Sequence, residues 1–183
     1  MDKHLIAIVG MCGSGKSEIT KMFQKEGYHY IHFGEITLKE VRNRGLQISE
    51  QNERIVREEI RKNYGNAAYA ILALPEIIKN IETKNIVLDG LYSWSEYKYL
   101  KEHFNSLIVL AIVTNNSIRK KRLSTRSIRP LTNEAVDARD YSEIENLEKG
   151  GPIAIADYYI INNDDIDTLK AEFGRFILWL ENH

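Results

Sequence analysis

One eight-residue segment near the start of the chain limits what the rest of it can fold into. Residues 10–17 read Gly-Met-Cys-Gly-Ser-Gly-Lys-Ser and directly follow the apolar run of residues 5–9. A glycine-rich segment that ends in Gly-Lys-Ser and lies between a buried strand and a helix is typical of a Walker A loop. The alternative, a glycine-rich turn that binds nothing, is disfavoured because the lysine and serine follow in register. The segment therefore predicts an α/β protein built around a phosphate-binding loop.

The residue types of this loop suit a nucleoside triphosphate. Glycines allow successive backbone N–H groups to curl around phosphate oxygens, and the N-terminus of the following helix adds its positive dipole end. Lys16 is expected to reach the terminal phosphates of ATP, and the Ser17 hydroxyl to ligate Mg²⁺. The predicted nucleotide-binding residues are Gly10, Gly13, Ser14, Gly15, Lys16 and Ser17.

Composition narrows the class of protein further. The chain has 183 residues and a formal charge of -1, so it has no global attraction to nucleic acid or to anionic lipid. A single cysteine, Cys12, excludes an internal disulfide and a cysteine-clustered metal site. We find no long apolar stretch, targeting segment, linker or repeat. The sequence thus predicts one domain over residues 1–183 in the cytoplasm, with no membrane partner, and leaves the oligomeric state open.

Apolar runs alternate with helical patterns along the chain. Further strands are predicted at residues 28–33, 85–89, 107–113 and 156–162. Helices are predicted at 16–27, 35–44, 49–64, 67–81, 93–103 and 117–126, with Pro75 kinking or restarting the fourth of them. A polar, mobile segment is predicted at 127–151 with a short helix near 141–149. In the closing helix, the residues predicted to face the core are Ile166, Leu169, Phe173, Phe176, Ile177 and Leu180. This order predicts a three-layer αβα sandwich with a parallel sheet of about five strands, whose ligands bind at the carboxyl ends of the strands.

Asp89 ends one of these predicted strands and precedes a glycine, as in a Walker B segment. A carboxylate at the end of a buried strand can hold Mg²⁺ or contact a phosphoryl acceptor. The alternative is a turn or helix-capping aspartate. Because the Walker A loop ends at the same edge of the sheet, we favour a catalytic or metal-binding role for Asp89.

The most basic stretch of the chain is residues 118–126. Arg119, Arg122 and Arg126 fall on one helical face, where arginines could neutralise a transferring phosphoryl group. The alternatives are a solvated surface and a nucleic-acid contact, and the absence of interleaved aromatic residues weakens the second. We single out Arg122 and Arg126 as catalytic candidates.

Several residues are candidates for binding an acceptor. Glu35 follows the second predicted strand, and Arg57 and Arg61 share a helical face, so all three could contact a second substrate. The alternatives are a first-turn helix glutamate and ordinary ion pairing on the surface, for instance between Glu53 and Arg57. Arg139 and Asp140 could close over a nucleotide or form a simple surface pair.

Taken in order, these features resemble the nucleoside monophosphate kinase-like P-loop kinases. The resemblance rests on the loop at 10–17, the Val-Leu-Asp-Gly strand end, the arginine-rich helix and the Ile-Ala-Asp-Tyr-Tyr-Ile-Ile-Asn-Asn stretch at 155–163. Within that group the chain looks most like the adenylate kinase-related and dephospho-CoA kinase-like proteins of archaea and bacteria. The resemblance implies an acceptor-binding helical region at about 35–80 and an arginine-bearing lid at about 119–151, which we call the lid segment.

The resemblance also implies roles for individual residues. Gly13, Gly15, Lys16 and Ser17 match the phosphate loop, Asp89 matches the Asp-Gly pair, and Arg122 and Arg126 match lid arginines. The chain departs from adenylate kinases after that Asp-Gly pair, where Leu-Tyr-Ser stands instead of an aromatic-Pro-Arg sequence. This departure argues against an acceptor that is specifically adenylate.

Two classes of function remain open at the level of sequence. The first is a Mg²⁺-ATP-dependent phosphotransferase acting on a small acceptor, either a nucleoside monophosphate or a dephospho-CoA-like compound. The second is a regulatory ATPase that binds nucleotide without a small acceptor. A kinase acting on nucleic-acid ends rests on the basic helix alone, so nucleic acid is not an expected partner.

Overall fold

The computed structural model describes residues 3–182 of the chain. Its strands coincide with the apolar runs, because β-branched and aliphatic residues pack well on a pleated, buried surface. They are β1 (Leu5–Val9), β2 (His29–His32), β3 (Ile86–Asp89), β4 (Leu107–Val113) and β5 (Tyr158–Ile161).

Helices separate the strands. They are α1 (Lys16–Lys25), α2 (Phe33–Asn43), α3 (Glu50–Tyr64), α4 (Ala68–Ile81), α5 (Trp94–His103), α6 (Asn116–Thr125), α7 (Asn133–Leu147), α8 (Gly150–Ala154) and α9 (Ile166–Leu180). None of these helices, within residues 3–182, combines the length and apolar content needed to cross a membrane.

The strands form one parallel sheet in the order β2-β3-β1-β4-β5. Parallel strands need crossover connections, and helices that supply them cover both faces of the sheet. The alternating residues of β1 show this directly. Leu5, Ala7 and Val9 belong to a core shared with α2 to α5, whereas Ile6 and Ile8 belong to a core shared with α1 and α9. The predicted three-layer sandwich with five parallel strands is therefore confirmed.

The register of the strands decides which residues meet at the carboxyl edge of the sheet. Asp89, the last residue of β3, lies opposite Ile8 of β1 on one side and His32 of β2 on the other. The Walker A loop leaves the sheet one residue after Val9. The loop, Asp89 and His32 consequently share one edge, which is where open α/β sheets bind ligands.

Three details of the predicted elements were wrong. The helix α4 does not restart at Pro75, which was one of the two predicted alternatives, because the buried residues Ala73 and Ile77 on either side pack it against the core and outweigh the missing hydrogen bond. Ile166 does not face the core: its side chain lies in the first turn of α9 and is exposed.

The third error concerns the lid segment. Residues 133–147 form a four-turn helix, α7, where a mobile segment with a short helix was predicted. Thr132 caps this helix by accepting a hydrogen bond from the Ala135 N–H at 3.2 Å. Its buried residues are only Val136 and Asp140. A helix that contacts its neighbours mostly through polar side chains has no apolar stripe for a periodicity argument to detect.

Candidate active site

The backbone of the Walker A loop requires glycine at several positions. Gly10, Gly13 and Gly15 have φ values of 144°, 80° and 102°, in the region that L-residues rarely adopt. A Cβ atom on Gly10 would lie 2.4 Å from the Ile112 carbonyl oxygen, and one on Gly15 would lie 2.1 Å from Nδ2 of Asn162. The loop therefore combines a positive-φ backbone with close approach of neighbouring strands, and α1 begins directly after it at Lys16.

Two residues that the sequence patterns did not single out hold this loop in place. The Asn162 amide donates to the Ser14 carbonyl at 2.8 Å, and the Thr114 hydroxyl donates to the same carbonyl at 3.0 Å and to the Asn162 carbonyl at 2.9 Å. Thr114 directly follows β4 and Asn162 directly follows β5. Their positions, as polar residues at the carboxyl ends of two apolar strands, were the signal in the sequence that could have identified them. The Ser14 side chain itself is buried, and its Oγ has no hydrogen-bond partner among residues 3–182.

The Lys16 ammonium lies inside the loop. Its Nζ donates to the carbonyl oxygens of Gly10 at 2.8 Å and Met11 at 3.1 Å. Burial, followed by the nearby Lys149 ammonium, lowers the pKa of Lys16 from 10.5 to about 8. A phosphate group beside Lys16 would favour the charged form, so the site favours an anionic ligand.

A cavity of about 350 Å³ opens beside the loop, and we call it the loop cavity. Cys12, Gly13, Gly15, Ser17 and His32 are among the residues that line it. Five cationic side chains face it against two carboxylates. The cations are Lys16, Arg122, Arg126, Arg139 and Lys149, and the carboxylates are Glu18 and Asp89. This excess of positive charge suits a polyphosphate.

The three arginines on one face of α6 have different positions. Arg119 is buried, and its guanidinium pairs with Asp140 at 2.5 Å and donates to the Cys12 carbonyl at 2.9 Å, so it links the lid segment to the Walker A loop. Arg122 lines the loop cavity and donates to the Asn162 carbonyl at 3.0 Å. Arg126 lines the same cavity, and its Nε donates to the Arg129 carbonyl. Of the three, Arg122 and Arg126 line the loop cavity and Arg119 does not.

The lid segment supplies two further cations that were not among the predicted catalytic residues. Arg139 pairs with Glu143 at 2.9 Å and not with its neighbour Asp140, whose partner is Arg119. Of the two alternatives for Arg139 and Asp140, the simple surface pair is therefore wrong. Lys149 is 2% exposed, its Nζ lies 2.5 Å from Glu143, and it sits 4.5 Å from the centroid of the Tyr92 ring. Burial raises the pKa of Glu143, but Lys149 and then Arg139 outweigh burial and hold that pKa below its ordinary value.

Backbone geometry explains how Lys149 reaches this position. Glu148 ends α7 with a left-handed backbone at φ 53°, which turns the chain back towards the loop cavity. Gly151 then approaches α5 closely, since a Cβ atom there would lie 2.8 Å from the Trp94 ring. The Gly-Gly pair after Lys149 was the signal in the sequence for this close approach.

A second cavity, of about 610 Å³, lies between β2, α2, α3 and α4, and we call it the side cavity. His32 lines both cavities. Tyr30 lines the side cavity, and its hydroxyl donates to Oδ2 of Asp89, which lines the loop cavity, at 3.2 Å. The two cavities therefore adjoin at His32, Tyr30 and Asp89.

Of the residues predicted to bind an acceptor, only Glu35 lines the side cavity. Glu35 lines the side cavity and pairs with Arg42. Arg57 and Arg61 line neither cavity. Arg57 pairs with Glu50 at 2.7 Å and with Glu53 at 3.7 Å, as the surface-pairing alternative predicted. The Arg61 guanidinium lies over the Tyr69 ring, and its Nε is buried without a hydrogen-bond partner among the described residues.

The chemistry of the side chains in the loop cavity fits a Mg²⁺ ion bound together with phosphate. Ser17 and Asp89 both face this cavity, and hydroxyl and carboxylate oxygens are the donors that Mg²⁺ prefers. Residues 3–182 contain no group of three or more His, Cys, Asp or Glu side chains that could hold a metal by itself. An ion here would need oxygen atoms from the nucleotide and water, which is usual for Mg²⁺ in phosphotransferases.

A parallel five-stranded sheet, a Walker A loop at its carboxyl edge and a cationic cavity above the loop define a P-loop protein of kinase-like fold. The chain belongs to the AAA domain family, whose model matches residues 6–147, and to the UPF0200 proteins. It is 32% identical over 178 residues to the UPF0200 protein TK1334 of Thermococcus kodakarensis, covering 94% of this chain and 96% of that protein. It is 34% identical over 179 residues to UPF0200 protein PH1008 of Pyrococcus horikoshii, covering 94% and 95%.

Solved structures with this fold include kinases. A shikimate kinase from Bacteroides thetaiotaomicron superposes with a TM-score of 0.63 and 14% identity, covering 97% of this chain and 98% of its own. A dephospho-CoA kinase from Campylobacter jejuni superposes with a TM-score of 0.61 and 19% identity, covering 97% of each chain. At this level of identity the likeness establishes the fold, and the P-loop kinase-like architecture predicted from the sequence is confirmed.

Proposed function

We propose that this protein is a Mg²⁺-ATP-dependent phosphotransferase that moves the γ-phosphate of ATP to a small acceptor bound in the side cavity. The observation that carries the proposal is the junction of the two cavities. A cationic cavity built on a Walker A loop adjoins a larger cavity at His32, and the Asp89 carboxylate of the first cavity accepts a hydrogen bond from Tyr30 of the second. A donor phosphate and an acceptor group bound in these cavities would come close to each other at Asp89.

The donor would be held by the Walker A loop. Backbone N–H groups of residues 10–17 and the N-terminus of α1 provide hydrogen bonds and positive potential for the phosphates. Lys16 would exchange its two carbonyl partners for phosphate oxygens. Ser17 and Asp89 would hold Mg²⁺, which supplies charge neutralisation at the β- and γ-phosphates when bound.

Four cations from α6 and the lid segment would act on the transferring group. Arg122, Arg126, Arg139 and Lys149 all face the loop cavity. Phosphoryl transfer is catalysed mainly by positioning and by neutralising charge on the phosphoryl oxygens, and cations in a cavity of low dielectric constant do this effectively. Glu143 would orient two of them, because it pairs with both Arg139 and Lys149.

The fold neighbours support a small-molecule kinase. They include shikimate kinase, dephospho-CoA kinase and a gluconokinase from Sinorhizobium meliloti with a TM-score of 0.58. The acceptor expected from the sequence resemblance is a nucleoside monophosphate or a dephospho-CoA-like compound. We also propose that residues 1–183 act as one domain in the cytoplasm.

The test is ADP release by the purified protein with Mg²⁺-ATP across a panel of small acceptors, with Lys16→Ala as the control. We expect release to be stimulated by an acceptor and abolished by the substitution. Nucleotide binding without stimulation by any acceptor would contradict the proposal and would favour a regulatory ATPase instead.

A further inference from the structure

We infer that the acceptor is an alcohol without negative charge, of about the size of a nucleoside, and that it binds in the side cavity with its hydroxyl group towards Asp89. The inference rests on the proposed function and narrows its acceptor. It departs from the expectation of a nucleoside monophosphate or a dephospho-CoA-like compound, because both of those acceptors carry phosphate groups.

The charges that line the side cavity are the first observation. Three carboxylates, Glu35, Glu40 and Glu76, face it, against the two cations Lys39 and Arg44. The Asp89 carboxylate lines the adjoining loop cavity and accepts a hydrogen bond from Tyr30 of the side cavity. The loop cavity has the opposite balance, with five cations against two carboxylates. Anionic groups are thus favoured on the donor side and disfavoured on the acceptor side.

The arginines around the side cavity are the second observation. Recognition of a phosphate or carboxylate group relies on arginines that are free to form bidentate hydrogen bonds. Arg42 is paired with Glu35, and Arg44 is paired with both Glu40 and Glu59. Arg57 is paired with Glu50 and Glu53 and does not line the cavity. An anionic acceptor would have to break such pairs, and the only lining cation without an ion-pair partner among residues 3–182 is the exposed Lys39.

The position of Tyr30 points in the same direction. Its hydroxyl donates to Oδ2 of Asp89 at 3.2 Å, and Glu35 lines the same cavity as Tyr30. A phosphate-bearing acceptor directed at Asp89 would approach both carboxylates and be repelled by them.

The remaining lining suits an uncharged ring or polyol. Ile36, Ile60 and Leu72 provide apolar surface, and Asn43 and Asn63 provide neutral donors and acceptors. The Tyr30 and His32 rings stack with an interplanar angle of 9° at the end nearest Asp89. The volume, about 610 Å³, is within the range of small-molecule sites.

The residues of the site and ATP are sufficient for phosphoryl transfer to such an alcohol. The acceptor hydroxyl gives its proton to the Asp89 carboxylate, and its oxygen forms a bond to the γ-phosphorus of ATP. The bond between the γ-phosphorus and the β,γ-bridging oxygen breaks, and its electron pair leaves with ADP. Tyr30 is a positioning residue, since its hydroxyl donates to Oδ2 of Asp89.

The test uses matched pairs of acceptors that differ only in a phosphate group. Nucleosides are compared with their 5′-monophosphates, pantetheine with 4′-phosphopantetheine, and hexoses with their 6-phosphates. The measurement is kcat/KM for acceptor-stimulated ADP release. We expect the uncharged member of the active pair to be preferred by tenfold or more. A preference for the phosphate-bearing member would overturn this inference and leave the proposed function standing. No turnover with any pair, with Mg²⁺-ATP binding intact, would overturn both.

Charge variants provide a second test of the same inference. Glu35→Gln together with Glu40→Gln releases Arg42 from its partner and leaves Arg44 with only Glu59. We expect this double variant to raise the rate with the phosphate-bearing member by about tenfold relative to the uncharged one. Glu58→Gln is the matched control, because Glu58 pairs with Arg54 and lines neither cavity. If the double variant kept its melting temperature and preferred the uncharged acceptor as strongly as the wild type does, the result would contradict the exclusion of phosphate-bearing acceptors by charge.

Discussion

The two cavities that meet at Asp89 are built in different ways. The loop cavity rests on the carboxyl edge of the sheet, where the Walker A loop is held by Thr114 and Asn162. The side cavity lies between helices α2, α3 and α4, and exposed ion pairs cover its outer rim. The loop cavity is positively charged and contains backbone that admits only glycine, whereas carboxylates outnumber cations among the side chains that line the side cavity. In the function proposed above, the first cavity would bind the phosphates of the donor and the second would bind the acceptor.

The largest expected effect is on the donor side of this comparison. Lys16→Ala removes the ammonium inside the loop, and we expect kcat/KM for ATP to fall on the order of 10³-fold. Lys21→Ala is the control, because Lys21 lies on the same helix, is exposed and pairs with Glu18. Equal losses in both variants would show that the charge acts at a distance and not through contact with phosphate.

The rigidity of the loop is tested by adding a single methyl group. Gly15→Ala places a Cβ atom 2.1 Å from the Asn162 amide at a φ of 102°, so we expect loss of nucleotide binding. We also expect destabilisation by about 2–3 kcal/mol, measured by denaturant unfolding. Gly174→Ala in α9 is the matched control. A Cβ atom there meets nothing within 4 Å, and the helix should gain up to about 1 kcal/mol. Equal stability of the two variants would contradict this account of the loop.

Glu96 is a buried carboxylate that lines neither cavity, so its titration tests the pH dependence of stability separately from that of binding. Burial is the main cause that raises the pKa of Glu96 from 4.5 to about 7, so the folded protein binds more protons than the unfolded chain between these values. Stability is therefore lost as the pH rises from about 4.5 to about 7. Glu96→Gln keeps an oxygen for the Tyr92 and Ser93 N–H groups, and it should be more stable than the wild type by about 2 kcal/mol at pH 8.

Denaturant unfolding of the wild type and Glu96→Gln at pH 5 and pH 8 measures this difference. We expect the gain to be small at pH 5, where the wild-type side chain is largely protonated, and larger at pH 8. The same gain at both pH values would show that Glu96 does not titrate as inferred.

The smallest effect is expected at Lys149. Since burial and the Lys149 ammonium lower the pKa of Lys16 to about 8, Mg²⁺-ATP affinity should fall as the pH passes about 8. Lys149→Met removes the like charge, so the pKa of Lys16 should rise and this midpoint should move to higher pH. We expect the rate at neutral pH to fall about tenfold from the lost cation. Lys149→Arg is the control that keeps the charge, and a midpoint equally displaced in both variants would contradict coupling by charge.

Local patterns account for the parts of the fold and site that were predicted. The Walker A loop and the apolar strands depend on residues close in sequence. The continuity of α4 through Pro75 and the helix α7 were not predicted. In α4, packing of buried neighbours outweighed a local rule, and in α7 the contacts with the rest of the fold are mostly polar.

The site shows the same division. Lys16, Ser17 and Asp89 were predicted to lie together because their motifs are contiguous and the ends of parallel strands meet at one edge, and all three line the loop cavity. Arg57 and Arg61 were placed towards an acceptor by helical spacing, but helical spacing does not say which way that face is turned. The partners of Arg139 and Asp140 belong to different elements, so adjacency in sequence was misleading for them.

By itself, the sequence determined the α/β sandwich, the Walker A loop and the carboxylate at the end of β3, because apolar periodicity and backbone sterics act over short stretches of chain. Only the tertiary structure decided that Arg119 is structural, that Lys149 is buried beside Lys16, and that the side cavity is acidic. These properties depend on which charges are brought together from distant elements, and burial and Coulomb interactions act through space and not along the chain.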